Sequence, residues 1–245
     1  MATVILVRHG RTSANATGVL AGRTPGVRLD ETGTAQAEKA AARLAVVPLA
    51  AVVSSPLERC KQTARAIARA QSVSRAGGAR VATDRGLTEC DSGEWQGRPL
   101  KELSKEALWK VVQAQPSAAH FPGGESMAAM QARVVDAVRR RDAVIEQEHG
   151  PGAVWVAVSH GDLVKAVLAD ALGMHLDLFQ RINVDPASIS IVRYTGSRPY
   201  VLATNTHDGD LSWLVPPPPK GRGRKRPPPT DAAVGGGAGP ASPAA

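Results

Sequence analysis

The 245-residue chain has only two cysteines, Cys60 and Cys90. Two cysteines make no disulfide framework and no zinc-ligand spacing. No stretch of 18 apolar residues occurs, so nothing in the sequence reads as a membrane span. The start, Met1-Ala2-Thr3-Val4-Ile5-Leu6-Val7-Arg8-His9, has no basic leader and its apolar run is cut by Arg8, unlike a signal peptide. Aromatic residues are absent from position 214 onward, which removes base stacking from any role of that segment. These absences point to a cytoplasmic enzyme or binding protein with no membrane partner.

The hydrophobic share, 43%, is too high for a disordered chain. The length suits one large domain, or one domain with an appendage. Net charge is +8, and half of it is local. Residues 213–245 hold Lys220, Arg222, Arg224, Lys225 and Arg226 against Asp231 alone. The body is left mildly basic, which suits an anionic ligand without demanding nucleic acid. Nine of the 18 prolines also fall after Trp213, with a Gly235–Gly237 run, so little there can be buried. Residues 1–213 are expected to form the catalytic domain and 214–245 a disordered Pro/Gly-rich basic tail. A solvated tail is the favoured reading, and nucleic acid is an unlikely partner except through it. No oligomeric state is assigned.

Short runs rich in Val and Ile alternate with helical patterns. The runs are Val4–Val7, Ala51–Ser54, Arg80–Thr83, Val154–Ser159, Ser188–Tyr194 and Tyr200–Asn205. Helices are expected over Glu31–Ala45 (capped by Asp30), Pro56–Ala70, Leu100–Gln115, Ser126–Glu148 and Leu163–Leu172 (closed by Gly173). The alternation predicts an α/β fold, a three-layer α/β/α sandwich with a mostly parallel central sheet.

One pattern occurs twice: an apolar run ending in His-Gly, at His9-Gly10 and at His160-Gly161. Ligands of open α/β sheets bind beyond the carboxyl ends of strands, where both histidines fall. In Ser54-Ser55-Pro56-Leu57-Glu58-Arg59, a helix start accounts for Ser55 as cap, Pro56 at the first position and Glu58 closing a capping box. It does not account for Arg59, which opposes the helix dipole unless an anion is present. Arg8 and Arg59 together offer two planar donor forks that match phosphate. In Leu87-Thr88-Glu89-Cys90-Asp91-Ser92-Gly93-Glu94, Glu89 is the acid nearest a strand, while Asp91 and Glu94 read as solvated.

Arg8-His9-Gly10 with Thr12 and Asn15 resembles the signature of the histidine phosphatase superfamily, the phosphoglycerate mutase-like branch. The segments Leu29–Ala37, Ser54–Ala64, Leu87–Gly97, Pro122–Ser126 and Val158–Gly161 resemble further family segments in the correct order. The resemblance covers about residues 3–206. It implies that His9 is the nucleophile and becomes a phosphohistidine, and that the charge of Arg8, Arg59 and His160 surrounds the phosphoryl oxygens. It further implies that Asn15 adds a neutral donor, that Gly22 and Gly161 complete the phosphate-binding set, and that Glu89 gives a proton to the leaving oxygen. No metal and no cofactor are implied, and the partner is a small phosphorylated substrate.

Mutase relatives keep an Arg and a Tyr shortly after the catalytic Glu, where this chain has Cys90 and Ser92. Only 71 residues separate Glu89 from His160. Both departures favour a phosphatase acting on phosphomonoesters with water as acceptor. The alternatives are a phosphomutase, the one case in which 2,3-bisphosphoglycerate would serve as cofactor, and a non-catalytic phosphate-binding or nucleic-acid-associated module. Spare cationic grips for a mutase would be Arg11, Arg23, Arg98 and Lys101. Trp95, Trp109, His120 and Phe121 either line a leaving-group pocket or, as preferred, pack in the core.

Overall fold

The computed structural model describes residues 2–74 and 80–215, without side chains for 72–74. The expected tail therefore lies outside the described residues, apart from its first two positions. Leu214, the first of these, is 5% exposed and packs into the core, so the packed body extends past the expected boundary at Trp213.

All six expected strands form: β1 (Thr3–Arg8), β2 (Leu49–Ser54), β3 (Val81–Thr83), β4 (Val154–Ser159), β5 (Ile189–Tyr194) and β6 (Pro199–Thr206). They make one sheet in the order β3-β2-β4-β1-β5-β6. The first four are parallel, and β5 and β6 complete the sheet antiparallel. The helices are α1 (Ser13–Thr17), α2 (Glu31–Leu44), α3 (Glu58–Ser74), α4 (Leu100–Leu103), α5 (Ala107–Ala114), α6 (Met127–His149) and α7 (Gly161–Ala171).

Strand alternation sorts the core into two layers. Ile5, Val7, Val52, Val156 and Val158 pack with Ala37, Ala41 and Leu44 of α2 and Ala64 and Ile67 of α3. Val4, Leu6, Val53, Trp155 and Ala157 pack with Met130, Val134 and Val138 of α6 and Leu163 and Val167 of α7. The expected three-layer sandwich is thus present.

Two helix expectations need correction. The single helix over Leu100–Gln115 is instead α4 and α5, broken before Ala107. Glu106 is extended there (ψ 148), and its carboxylate accepts Trp95 Nε1 at 2.9 Å and pairs with Arg98 Nη1 at 2.6 Å. Helix α3 starts at Glu58 rather than Pro56, because Lys61 N–H already bonds Leu57 O at 3.1 Å. Glu58 closes no capping box; it pairs with Arg28 at 3.2 Å. Asp30 does cap α2, accepting Gly33 N–H at 2.7 Å, and Gly173 follows α7 at φ +66.

The start of α2 lies against the loop that leaves β1. A Cβ on Gly33 would collide with Arg11 O, and one on Gly10 with Gly33 O. Gly→Ala inside a helix usually stabilises by about 0.5–1 kcal/mol. Here the sign reverses: Gly33→Ala should destabilise by about 1–3 kcal/mol, because backbone must move. Urea unfolding measures this as a lower midpoint at unchanged slope, and a midpoint at or above wild type would refute the contact.

Candidate active site

The register of the sheet assembles the site. Arg8 of β1 lies beside Ser159 of β4, so the residues that follow, His9 and His160, emerge side by side. Their rings are 5.3 Å apart, edge to face. Ser55 leaves β2, the next strand, and Arg59 follows in the first turn of α3. Glu89 arrives from the far edge, after β3 and a short 3-10 turn over Arg85–Leu87. The N-termini of α3 and α7 face the same end of the sheet, which favours an anion there.

His9 is 3% exposed. Its Nδ1–H donates to Gly10 O at 2.7 Å, so Nε2 carries the ring's lone pair, which accepts from Arg59 Nε at 3.2 Å. Burial, with the Arg59 charge, pushes its pKa down to about 3, so the imidazole is neutral. His160 is fully buried, with Nε2 2.8 Å from Ser55 Oγ and Nδ1 3.4 Å from Glu89 Oε2. Burial, with Arg59, holds its pKa well below the usual imidazole value. This lowering favours the neutral imidazole, while the fixed positive charge at this end of the sheet is that of Arg8 and Arg59. Cys60 Sγ sits 3.4 Å from His160 Nε2, and burial pushes this thiol up to about 12, so it is an inert packing atom.

Arg59 is 1% exposed. Its Nη2 donates to Gly22 O at 2.8 Å and lies 3.9 Å from Glu89 Oε2, while Nη1 is buried without a partner among the described residues. Arg8 Nη1 donates to Val184 O at 2.7 Å, and its buried Nε is likewise unpartnered. Buried donors normally have acceptors, so these two N–H groups mark where an anion's oxygens fit. Glu89 Oε1 accepts Cys90 N–H at 3.0 Å. Burial raises its pKa to about 7 against the pull of Arg59, yet 20% of the side chain meets solvent, enough to exchange protons.

Other expected residues fall in different places. Asn15 is exposed, and its Oδ1 accepts the Thr12 N–H and Oγ1–H at 3.1 and 2.9 Å in a capping box, so only its amide nitrogen remains as a donor. Gly22, at φ +51, contributes its carbonyl to Arg59. Gly161 starts α7 beneath Arg8: a Cβ there would lie 3.4 Å from Arg8 Nε. Trp95 and Phe121 are core residues, Trp109 stacks on Trp95, and His120 is exposed. Arg11 is held by Asp30 at 2.8 Å, Arg98 is held by Glu106, and Lys101 is exposed.

Asp91 is more than a solvated acid. It pairs with Arg23 at 3.1 Å, within a network that sequence reasoning missed. Glu125 accepts both Arg133 Nη2, at 2.5 Å, and Arg23 Nη2, at 3.1 Å, and also the Asp91 N–H at 2.9 Å. Arg23 Nε donates to Glu89 O at 2.8 Å, and Arg133 Nη1 reaches Gly86 O and Thr88 O at 2.8 and 2.9 Å. The Glu89 loop is thus fixed by its backbone from both sides. The Pro122-Gly123-Gly124-Glu125 segment was visible as a motif, but nothing local links Glu125 to Arg23, 102 positions away.

Among the described residues no group of His, Cys, Asp and Glu is arranged to hold a metal ion, and no helix is long and apolar enough to cross a membrane.

Comparison with known proteins agrees with this geometry. Phosphoserine phosphatase 1 of Hydrogenobacter thermophilus is 31% identical over 211 residues, 84% of this chain and 92% of that protein. A probable phosphoglycerate mutase, GpmB of Yersinia pestis, is 32% identical over 199 residues, 80% of this chain and 87% of that protein. The solved structure of YhfR from Bacillus stearothermophilus shares the fold, with a TM-score of 0.74 at 24% identity over 87% of this chain and 100% of that one. The chain spans about half the length of Mycobacterium tuberculosis relatives that are 34% identical to it over 198 residues. A model of the histidine phosphatase superfamily (branch 1) matches residues 4–207, and the chain belongs to that family.

Proposed function

We propose that this chain is a metal-independent phosphatase that hydrolyses small phosphomonoesters through a phosphohistidine on His9. The observation that carries the reading is the neutral His9 Nε2 set beside two buried arginine N–H groups that lack partners. A neutral imidazole attacks without first losing a proton. Nε2 attacks phosphorus while Arg8 and Arg59 take the equatorial oxygens, where charge matters most in the transition state. The first turn of α7 and the Asn15 amide nitrogen add neutral donors. Glu89, with a pKa of about 7, protonates the leaving alkoxide. As a carboxylate it then takes a proton from the water that attacks the phosphohistidine, which releases phosphate and restores both groups. The two guanidiniums supply the charge neutralisation for which other phosphoryl-transfer enzymes use a metal.

The relative named as a probable phosphoglycerate mutase favours a second reading, a phosphomutase primed by 2,3-bisphosphoglycerate. Turning a bisphosphorylated intermediate within the site needs further cationic grips. Arg11, Arg23 and Arg98 are each committed to a carboxylate, and Cys90 and Ser92 offer no fork. Water is the acceptor that this arrangement favours.

His9→Ala should lower aryl phosphate hydrolysis by roughly 10⁴-fold or more while the fold is kept. Near-native turnover would end the phosphohistidine mechanism. Glu89→Gln should cost alkyl phosphates about 10²–10⁴-fold and activated aryl phosphates far less, since an aryloxide needs little protonation. The sign of the pH dependence follows. Glu89 is the acid only while protonated, so kcat/KM on alkyl phosphates should fall as the pH rises through about 7. That limb should vanish in Glu89→Gln, and equal losses on both substrate types would remove Glu89 from the role. Finally, phosphate release from 3-phosphoglycerate should exceed its isomerisation even with 2,3-bisphosphoglycerate supplied. Isomerisation faster by about tenfold would install the mutase reading in its place.

A further inference from the structure

Arg8 is seated by the antiparallel side of the sheet. Its Nη1 donates to Val184 O at 2.7 Å. Its own N–H bonds Ser188 O at 3.3 Å, and the Ala187 N–H reaches the carbonyls of Arg8 and His9 at 3.1 and 3.2 Å. The 184–188 segment thus cradles the backbone of both residues and the guanidinium of one.

That segment is gripped in turn by an irregularity in β6. Ile189 pairs with Thr206 and Ile191 with Ala203, so two steps along β5 face three along β6. Asn205 lies in the extra step, at φ +50. A bulge of this kind re-aims a side chain. The backbone N–H of Asn205 donates to the buried Ser190 Oγ at 3.1 Å. Its amide closes a two-bond fork on Asp185: the Asp185 N–H donates to Oδ1 at 2.7 Å, and Nδ2 donates to Asp185 Oδ2 at 2.8 Å. His207 Nε2 lies 3.2 Å from the same oxygen. Ala187, at φ +58, is the other non-glycine residue with positive φ among those described, so the backbone is strained on both sides of this contact.

We propose that Asp185, Asn205 and His207 form a clamp that positions Arg8 against the phosphoryl group, with the Asn205 bulge as its fixed jaw. They are positioning residues, acting through Val184 and Ala187. The inference rests on the reading of Arg8 as a phosphoryl ligand.

The test uses the whole chain, an aryl phosphate as substrate and inorganic phosphate as competitive inhibitor. Asn205→Gly keeps the positive φ without strain and removes only the amide. KM and the inhibition constant for phosphate should both rise by about tenfold, with kcat changed less, since a misplaced ligand weakens phosphate binding. His207→Ala should move both constants in the same direction, and His207→Gln, which keeps a donor for Asp185, should recover them. Arg139→Ala is the control for general destabilisation: this arginine pairs with Asp170 at 2.7 Å near the far end of α7. The clamp is refuted if the Asn205→Gly constants stay within about twofold of wild type, or if Arg139→Ala shifts them equally. Should Asn205→Gly fail to fold, His207→Ala decides, at a side chain 45% exposed. Arg8→Lys separates the two readings. Weaker phosphate binding in Arg8→Lys alone removes the clamp, and no change in Arg8→Lys removes the role of Arg8 and the clamp with it.

Discussion

The site depends on a single contact, that of the buried Arg59 with the His9 ring at 3.2 Å. A guanidinium that is 1% exposed has lost its water, and removing charge from water costs several kcal/mol unless partners replace it. The chain supplies only part of the replacement, the Gly22 carbonyl and a carboxylate 3.9 Å away. Nη1 stays without a partner among the described residues. The shortfall has three effects. The uncompensated charge adds to burial in lowering the His9 pKa, it leaves an N–H group for an anion's oxygen, and it pulls the Glu89 pKa down against the burial that raises it. The proposed nucleophile, phosphate site and acid are therefore all tuned by the same buried guanidinium.

The scaffold delivers that contact through register more than through loops. Parallel pairing of β1 with β4 sets the two imidazoles side by side, and β2 on the other flank of β4 launches the helix that carries Arg59. Rotating either strand by one residue would send its histidine to the opposite face. The glycine contacts at Gly10 and Gly33 then press α2 against the turn that exposes His9. Glu89, the proposed general acid, is the one member without a place in this register, and it is held by its backbone, through Arg23, Arg133 and their shared carboxylate on Glu125.

The strands were legible because parallel strands buried on both faces must be short apolar runs, and Val4–Val7 or Val154–Ser159 fit little else. His9 and His160 were legible from the repeated His-Gly at strand ends, with Arg8 beside the first, and Arg59 because a helix start does not account for it. The misreadings have a common physical origin. Glu106 breaks the 100–115 helix for partners at Trp95 and Arg98, and Glu125 works for Arg23, so helical propensity and motif spelling say nothing of either. Asn15 differs: its capping bonds to Thr12, three residues away, are local enough to be read from the sequence, and its amide nitrogen stays available as the proposed donor.

The two arginines are held by different parts of the sheet. Arg59 comes from the helix start after β2 and donates to the loop carbonyl of Gly22. Arg8 stands at the end of β1, between the start of α7, which follows β4, and the turn before β5. That turn offers carbonyls: Val184 O and Ser188 O accept from the Arg8 side chain and backbone. The change of strand direction beside β1 places acceptors next to one arginine while the parallel half places donors around the anion. Arg8 and Arg59 bring N–H groups without partners among the described residues to that end of the sheet, where the proposed phosphate site lies.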